Sequence, residues 1–293
     1  MKIDILLVGP WDRIKTKVDN KIFENYIKDL KKKKFVNNII YSSSDKSGPK
    51  ESNLFDEVLF NQLDSNIVNN NFEKNGLIYY QNLSAYKKIN LKADFVLKIR
   101  SDIYLKNLDF LYALILENKN QIIIDYYVDH SLLIPYYYSD FMILCKSNIY
   151  VSFFDKKNEQ KYDDKKKLTF SPHKSIYAGR INENQRYTEQ FLWSNFLGSY
   201  KNTDKFYKPQ SKLNIFDYFD SLNTIKKNFI FISRSFIYSE NDKFKYRNII
   251  NKFIYKNNQL DLSFTLKIFL FFYHYLRFFY LTFDAIYKKY EKK

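Results

Sequence analysis

Asp94-Phe-Val-Leu-Lys-Ile-Arg-Ser-Asp102 decides the fold. A short run with an apolar interior ends abruptly in two opposite charges, the pattern of a buried strand that delivers polar groups at its carboxyl end. Upstream, Ile3 to Val8 reads as a first buried strand. A stretch from Lys17 to Lys34 carries Val18, Ile22, Tyr26, Ile27 and Leu30 at mostly helical spacing, and Phe35 to Tyr41 completes a strand-helix-strand unit. Asp56 to Phe60 adds a strand and Leu77 to Asn90 a helix. Downstream, Leu108 to Glu117 reads as a helix, Gln121 to Asp125 and Phe141 to Leu144 as strands, and Glu189 to Phe196 as an amphipathic helix. Lys212 to Ile232 mixes both signals. Strands alternating with helices predict a mostly parallel sheet covered by helices, whose ligands bind outside the carboxyl ends of the strands.

At 293 residues the chain is long enough for one main core with a smaller C-terminal element. Aromatic residues make up 19% of it, against only 5 glycines and 5 prolines, a balance that excludes a disordered or low-complexity chain. The formal net charge of +16 would ordinarily point to an anionic partner. Here Lys, Asn, Ile, Tyr and Phe abound everywhere while Ala, Gly and Arg are scarce, which looks like the drift of an AT-rich genome. The excess is spread over surface lysines such as Lys31 to Lys34 and Lys165 to Lys167, so no nucleic-acid partner is expected.

Cys145 stands alone in the apolar run Phe141 to Cys145 and reads as a small buried side chain. The first ten residues fail as a signal peptide, having a charge inside a very short apolar run and no small-residue cleavage site. A cytoplasmic location is the expectation.

The chemistry is sought first at Arg100-Ser101-Asp102. Two opposite charges at the end of a buried strand are tolerable with mutual pairing, metal coordination or a bound ligand. Asp102 is suited to hold Mg²⁺ or Mn²⁺, which take carboxylate oxygens and share their remaining sites with substrate phosphates. Arg100 would then pair with a diphosphate or orient the carboxylate. A salt bridge that caps the strand fits the same residues equally well. Asp140 precedes a buried strand and Glu189 follows Thr188 at a helix start, so both have bland readings too: Asp140 as an acceptor of turn amides, Glu189 as a residue of a cap. If two of these carboxylates converge on one cleft, a metal ligand and a general base are both supplied. His130, His173 and His274 match no zinc or serine-hydrolase spacing, and there is no Gly-rich phosphate loop.

Taken in order, Ile5-Leu-Leu-Val-Gly-Pro10, Phe55-Asp-Glu-Val-Leu59, Phe95-Val-Leu-Lys-Ile-Arg-Ser-Asp-Ile-Tyr-Leu105, Tyr137-Tyr-Ser-Asp-Phe141 and Tyr187-Thr-Glu-Gln-Phe-Leu-Trp193 resemble the WavE lipopolysaccharide-synthesis family of glycosyltransferases. The resemblance runs to about Phe196. It implies an α/β, GT-A-like, Rossmann-type fold, a mostly parallel sheet flanked by helices with a C-terminal helical appendage. The catalytic domain would span residues 1–215 and the helical region 216–293. It further implies a nucleotide-diphosphosugar donor held near Gly9, Pro10, Arg100 and Asp102, with Asp102 where the acidic metal- and diphosphate-binding motif would stand. The first acidic position of that motif is Arg100 here, which leaves a single-aspartate metal site or a partly metal-independent one. Asp140 and Glu189 are the candidate bases, and the acceptor would be a lipopolysaccharide, lipooligosaccharide or capsule glycan.

Leu262 to Tyr290 contains Ile268 to Phe283, an aromatic and aliphatic segment interrupted by His274 and Arg277, too short and too interrupted for a comfortable transmembrane span of roughly 20 residues. Flanking Lys288, Lys289, Lys292 and Lys293 suit a helix lying on an inner-membrane surface. A helix packed on the catalytic domain or in a dimer fits as well. Two other functions compete with glycosyl transfer: a metal-dependent nucleotidyltransferase or phosphohydrolase using the same strand-end carboxylate, and a non-catalytic module binding membrane or nucleic acid.

Overall fold

The computed structural model describes residues 1–9, 20–44, 53–61, 81–101, 103–126, 141–154, 223–224, 227–237, 255–256, 259–260 and 272. Seven strands, β1 (Ile3–Val8), β2 (Val36–Ser43), β3 (Glu57–Phe60), β4 (Phe95–Arg100), β5 (Ile122–Tyr126), β6 (Met142–Lys146) and β7 (Phe229–Ser233), form the body of one sheet. Two two-residue strands, β8 (Tyr255–Lys256) and β9 (Gln259–Leu260), lie at its edge, giving the order β3-β2-β1-β4-β6-β5-β7-β9-β8. β1 runs parallel to β2 and β4, β2 to β3, and β5 to β7, while β6 is antiparallel to both its neighbours. The expected α/β architecture, a mostly parallel sheet flanked by helices, is present. Its strands beyond β6 come from residues past 215.

The helices are α1 (Asn20–Lys31), α2 (Leu108–Glu117), α3 (Ser147–Ser152) and α4 (Arg234–Ile237). Every residue of β1 is buried, as expected of a strand covered on both faces. On one face Ile5, Leu7, Leu97, Ile99 and Leu144 pack with Phe23, Ile27 and Leu30 of α1 and with Leu111 and Ile115 of α2. Asp4, on the other face by strand alternation, is wholly buried and fully occupied. Its carboxylate accepts from Tyr86 Oη at 2.7 Å, Ala93 N at 2.8 Å and Asn37 Nδ2 at 2.9 Å. Tyr86 in turn meets Tyr150 edge-on, with ring centroids 5.6 Å apart.

Several boundaries move. The first helix stops at Lys31 instead of Lys34: Lys33 N donates to Leu30 O and Val36 N to Lys33 O, closing a turn, so Phe35 precedes the strand it was expected to start. Three successive lysines gain from the turn because it spreads them among different acids. Lys31 reaches Asp56 at 2.9 Å, Lys32 reaches Asp29 at 2.7 Å and Lys33 reaches Asp109 at 2.5 Å. The helix expected over 77–90 tightens into a 3-10 turn at Ala85–Lys88, and its first four residues lie outside the described ones. The mixed stretch 212–232 contains β7 at its end. The C-terminal stretch 262–290 lies outside the described residues apart from the exposed Phe272. Among the described residues no helix is long and apolar enough to cross a membrane.

Candidate functional site

From β1 the chain steps outward to β2 and β3, then returns to place β4 on the opposite side of β1. The carboxyl ends of β1 and β4 therefore flank the point at which the strand order reverses, where connections leave in opposite directions and open a crevice. Gly9 and the Arg100-Ser101 pair lie side by side at these ends.

Gly9 follows β1 with φ +146°, a conformation that strains any residue carrying a Cβ. Its amide donates to Ser42 O at 3.3 Å, and its carbonyl accepts from Tyr41 Oη at 2.8 Å. A Cβ built on Gly9 would lie 2.5 Å from Ser101 Oγ. The glycine is thus required twice over, by its backbone and by the closeness of β4.

Arg100 is the last residue of β4, opposite Val8. Its amide donates to Phe141 O at 3.1 Å, and its guanidinium carbon lies 4.2 Å from the centroid of the Phe141 ring. Stacking of this kind restrains the orientation of a guanidinium. Because β6 runs backwards, Phe141 at its start is brought to the carboxyl ends of β4 and β5. Ser101 is buried and its amide donates to Val8 O at 3.0 Å, but its hydroxyl makes no hydrogen bond among the described residues. Ile103 N donates back to Arg100 O at 3.1 Å, turning the chain directly after the strand.

A polar clamp borders the crevice at the ends of β2 and β3. Ser42 Oγ donates to Asn82 O at 2.8 Å, and Asn61 Nδ2 donates to Ser42 Oγ and to Asn82 Oδ1, both at 3.1 Å. Lys88 Nζ donates to Asn61 Oδ1 at 3.3 Å. Bonds among buried partners of this sort fix the strand ends against one another.

Of the residues expected to act together, Gly9 and Arg100 are brought to the adjoining carboxyl ends of β1 and β4. Pro10, Asp102, Asp140 and Glu189 lie outside the described residues. Sequence reading included Ser101 in the Arg100-Ser101-Asp102 segment without giving it a role, and missed Ser42, Asn61 and Asn82. The signal for Ser42 and Asn61 was a small polar residue directly after an apolar run, and Asn82, behind Gln81, had none. The interior of β4, expected to be apolar, contains the wholly buried Lys98, and β5 contains the wholly buried Asp125, whose Oδ1 accepts from Met142 N at 2.9 Å. Among the described residues no group of three His, Cys, Asp or Glu side chains is placed to hold a metal. Burial pushes the Cys145 thiol well above its ordinary range, which disfavours the thiolate that attack or ligation needs.

No family model and no curated protein matches the chain. Among solved structures, the galactosyltransferase LgtC in complex with donor and acceptor sugar analogues is 12% identical, covering 63% of this chain and 72% of that one at a TM-score of 0.36. Staphylococcus aureus TarS is 16% identical, covering 67% of this chain and 34% of that one at a TM-score of 0.32. Its 1–349 portion is 15% identical, covering 67% and 56% at 0.34. Likeness of that degree carries neither activity nor substrate to this chain.

Proposed function

We propose that this chain is a glycosyltransferase that moves a sugar from a nucleotide-diphosphosugar to a hydroxyl of a bacterial surface glycan. The observation that carries the reading is that Gly9, directly after β1, and Arg100, which ends β4 opposite Val8, adjoin at the switch point of the sheet. A side-chain-free turn on one strand and a stacked guanidinium on the next suit a diphosphate, which needs close backbone approach and delocalised positive charge. The ordered likeness of five sequence stretches to the WavE family supports the choice of transfer over other nucleotide chemistry.

In the reaction, the acceptor oxygen forms a bond to the anomeric carbon as the bond from that carbon to the diphosphate oxygen breaks. The acceptor proton passes to a carboxylate, for which Asp140 and Glu189 are the candidates. The nucleoside diphosphate leaves with the electron pair, and Arg100 offsets its growing charge. Asp102, next to the buried Ser101 hydroxyl, is the proposed holder of Mg²⁺ or Mn²⁺, which when bound would neutralise the same oxygens. The aromatic C-terminal stretch would keep the enzyme on the cytoplasmic face of the inner membrane, beside a lipid-linked acceptor.

The test is a thermal-shift screen against nucleoside diphosphates and nucleotide sugars, with and without Mn²⁺, repeated on Asp102→Asn. One nucleotide family should raise the unfolding temperature of the unsubstituted chain and fail to do so in the variant. A folded chain that responds to none refutes the reading. Release of nucleoside diphosphate that does not depend on an acceptor would instead point to hydrolysis or nucleotidyl transfer.

A further inference from the structure

Both peptide groups of Gly9 are held by β2. Its amide donates to Ser42 O at 3.3 Å, a long bond, whereas its carbonyl accepts from the Tyr41 hydroxyl at 2.8 Å, well inside the range of O–H···O bonds. Tyr41 is wholly buried in the apolar core, opposite Leu7 in the β1–β2 ladder. Its ring stacks on Phe55 with centroids 5.2 Å apart and planes 22° from parallel. A phenylalanine would meet that packing; the hydroxyl is what reaches the turn after β1. Glycine is the residue whose peptides turn most freely, and Gly9 stands at φ +146°. Its carbonyl belongs to the Gly9-Pro10 peptide, whose nitrogen carries no hydrogen. That peptide has no donor to give an anion, only the partial negative charge of its oxygen. With the oxygen bonded to a wholly buried side chain, the negative end of the peptide dipole is directed into the protein interior.

Resting on the donor site proposed above, we infer that Tyr41 is a positioning residue of that site: its hydroxyl fixes the Gly9-Pro10 peptide with the carbonyl turned inward, keeping a negative oxygen away from the diphosphate. Tyr41 does not touch the donor and acts through Gly9. Without the hydroxyl, the glycine is free to rotate this peptide, and its oxygen then meets the phosphates with like charge in surroundings that screen poorly. The effect is confined to the charged part of the donor, since a nucleoside has no charge for the oxygen to repel.

The experiment compares the unsubstituted chain with Tyr41→Phe and Phe55→Leu. Unfolding temperature is read without nucleotide. Affinity is read by calorimetric titration with UDP, GDP, CDP, ADP and dTDP and with the matching nucleosides, well below the lowest of the three unfolding temperatures. Tyr41→Phe keeps the stack and removes only the bond to Gly9. It should bind the preferred nucleoside diphosphate roughly 5-fold more weakly, the worth of one hydrogen bond, with affinity for the bare nucleoside unchanged. Phe55→Leu loosens the seat of the Tyr41 ring but keeps the hydroxyl, so it should unfold at a lower temperature and bind the diphosphate as the unsubstituted chain does. Unchanged diphosphate affinity in Tyr41→Phe would make the bond a matter of stability alone and overturn the inference while leaving the donor site standing. Equal losses for nucleoside and diphosphate, or an equal diphosphate loss in Phe55→Leu, would trace the effect to general loosening and overturn it too. If the folded, unsubstituted chain binds no nucleotide, the donor site itself fails and takes this inference with it.

Discussion

Gly9→Ala tests the geometry of the crevice without any ligand. Two costs combine. A φ of +146° is sparsely available to an L-residue, and holding one there costs about 1–3 kcal/mol. The new Cβ would lie 2.5 Å from Ser101 Oγ, so the hydroxyl must leave its rotamer, at about 1 kcal/mol more. Gly9→Ala should therefore destabilise the chain by about 2–4 kcal/mol, read as a lower urea midpoint at unchanged slope. Ser101→Ala separates the two terms. With Oγ gone, the nearest atom to the new Cβ is Ser101 Cβ at 3.6 Å, an ordinary contact. The double variant should then be more stable than the two single changes sum to, by about 1 kcal/mol, while the backbone cost persists. Additivity within about 0.3 kcal/mol would refute the close approach of the two strand ends. A Gly9→Ala cost below about 0.5 kcal/mol would refute the strained conformation as well.

Asn61→Ala removes the donor shared by Ser42 and Asn82 and should cost about 1–3 kcal/mol, measured by urea unfolding; a neutral result would mean the clamp is not formed. Arg100→Lys keeps the charge but loses the planar stack on Phe141, and should weaken nucleoside diphosphate binding roughly 10-fold by calorimetry, whereas equal affinity would show that only charge matters. Alkaline pH should destabilise the fold. Burial raises the pKa of Tyr26, Tyr86, Tyr150 and Cys145, so each stays protonated in the fold while its unfolded counterpart ionises. The unfolded state then binds fewer protons, and stability present below about pH 8.5 for the thiol and about pH 10 for the phenols is lost as pH rises. Cys145→Ala should flatten the pH dependence of the urea midpoint between about 8.5 and 10; an unchanged slope there would place the thiol in contact with water.

The strands were legible because strands buried on both faces are continuous apolar runs, and β1, β4 and β5 stand out against a lysine-rich background. The limits of α1 were not, since helical spacing continues past Lys31 and only the pairing of Lys31 to Lys33 with acids elsewhere in the fold selects the turn. Buried charges defeat the pattern in the same way: Lys98 looks like one polar interruption of a strand, and nothing near it in sequence says it is enclosed. At the site, Gly9 and Arg100 could be read because each directly follows or ends an apolar run. The clamp of Ser42, Asn61 and Asn82 could not, because its members come from three separate segments that meet only once β2 and β3 are paired. The reversal of β6 was equally hidden, as an apolar run has no direction.

That reversal has a consequence for how such a protein can change. A connection between parallel neighbours must travel the full length of the sheet and arrive at the far edge. The connection from β5 to β6 instead departs at Tyr126 and arrives at Phe141 on one and the same rim, beside the guanidinium of Arg100. Residues added or exchanged between those two points alter the surroundings of the crevice and need not disturb the core. One backward strand gives the fold a place to vary the surroundings of Arg100 at little risk to its stability.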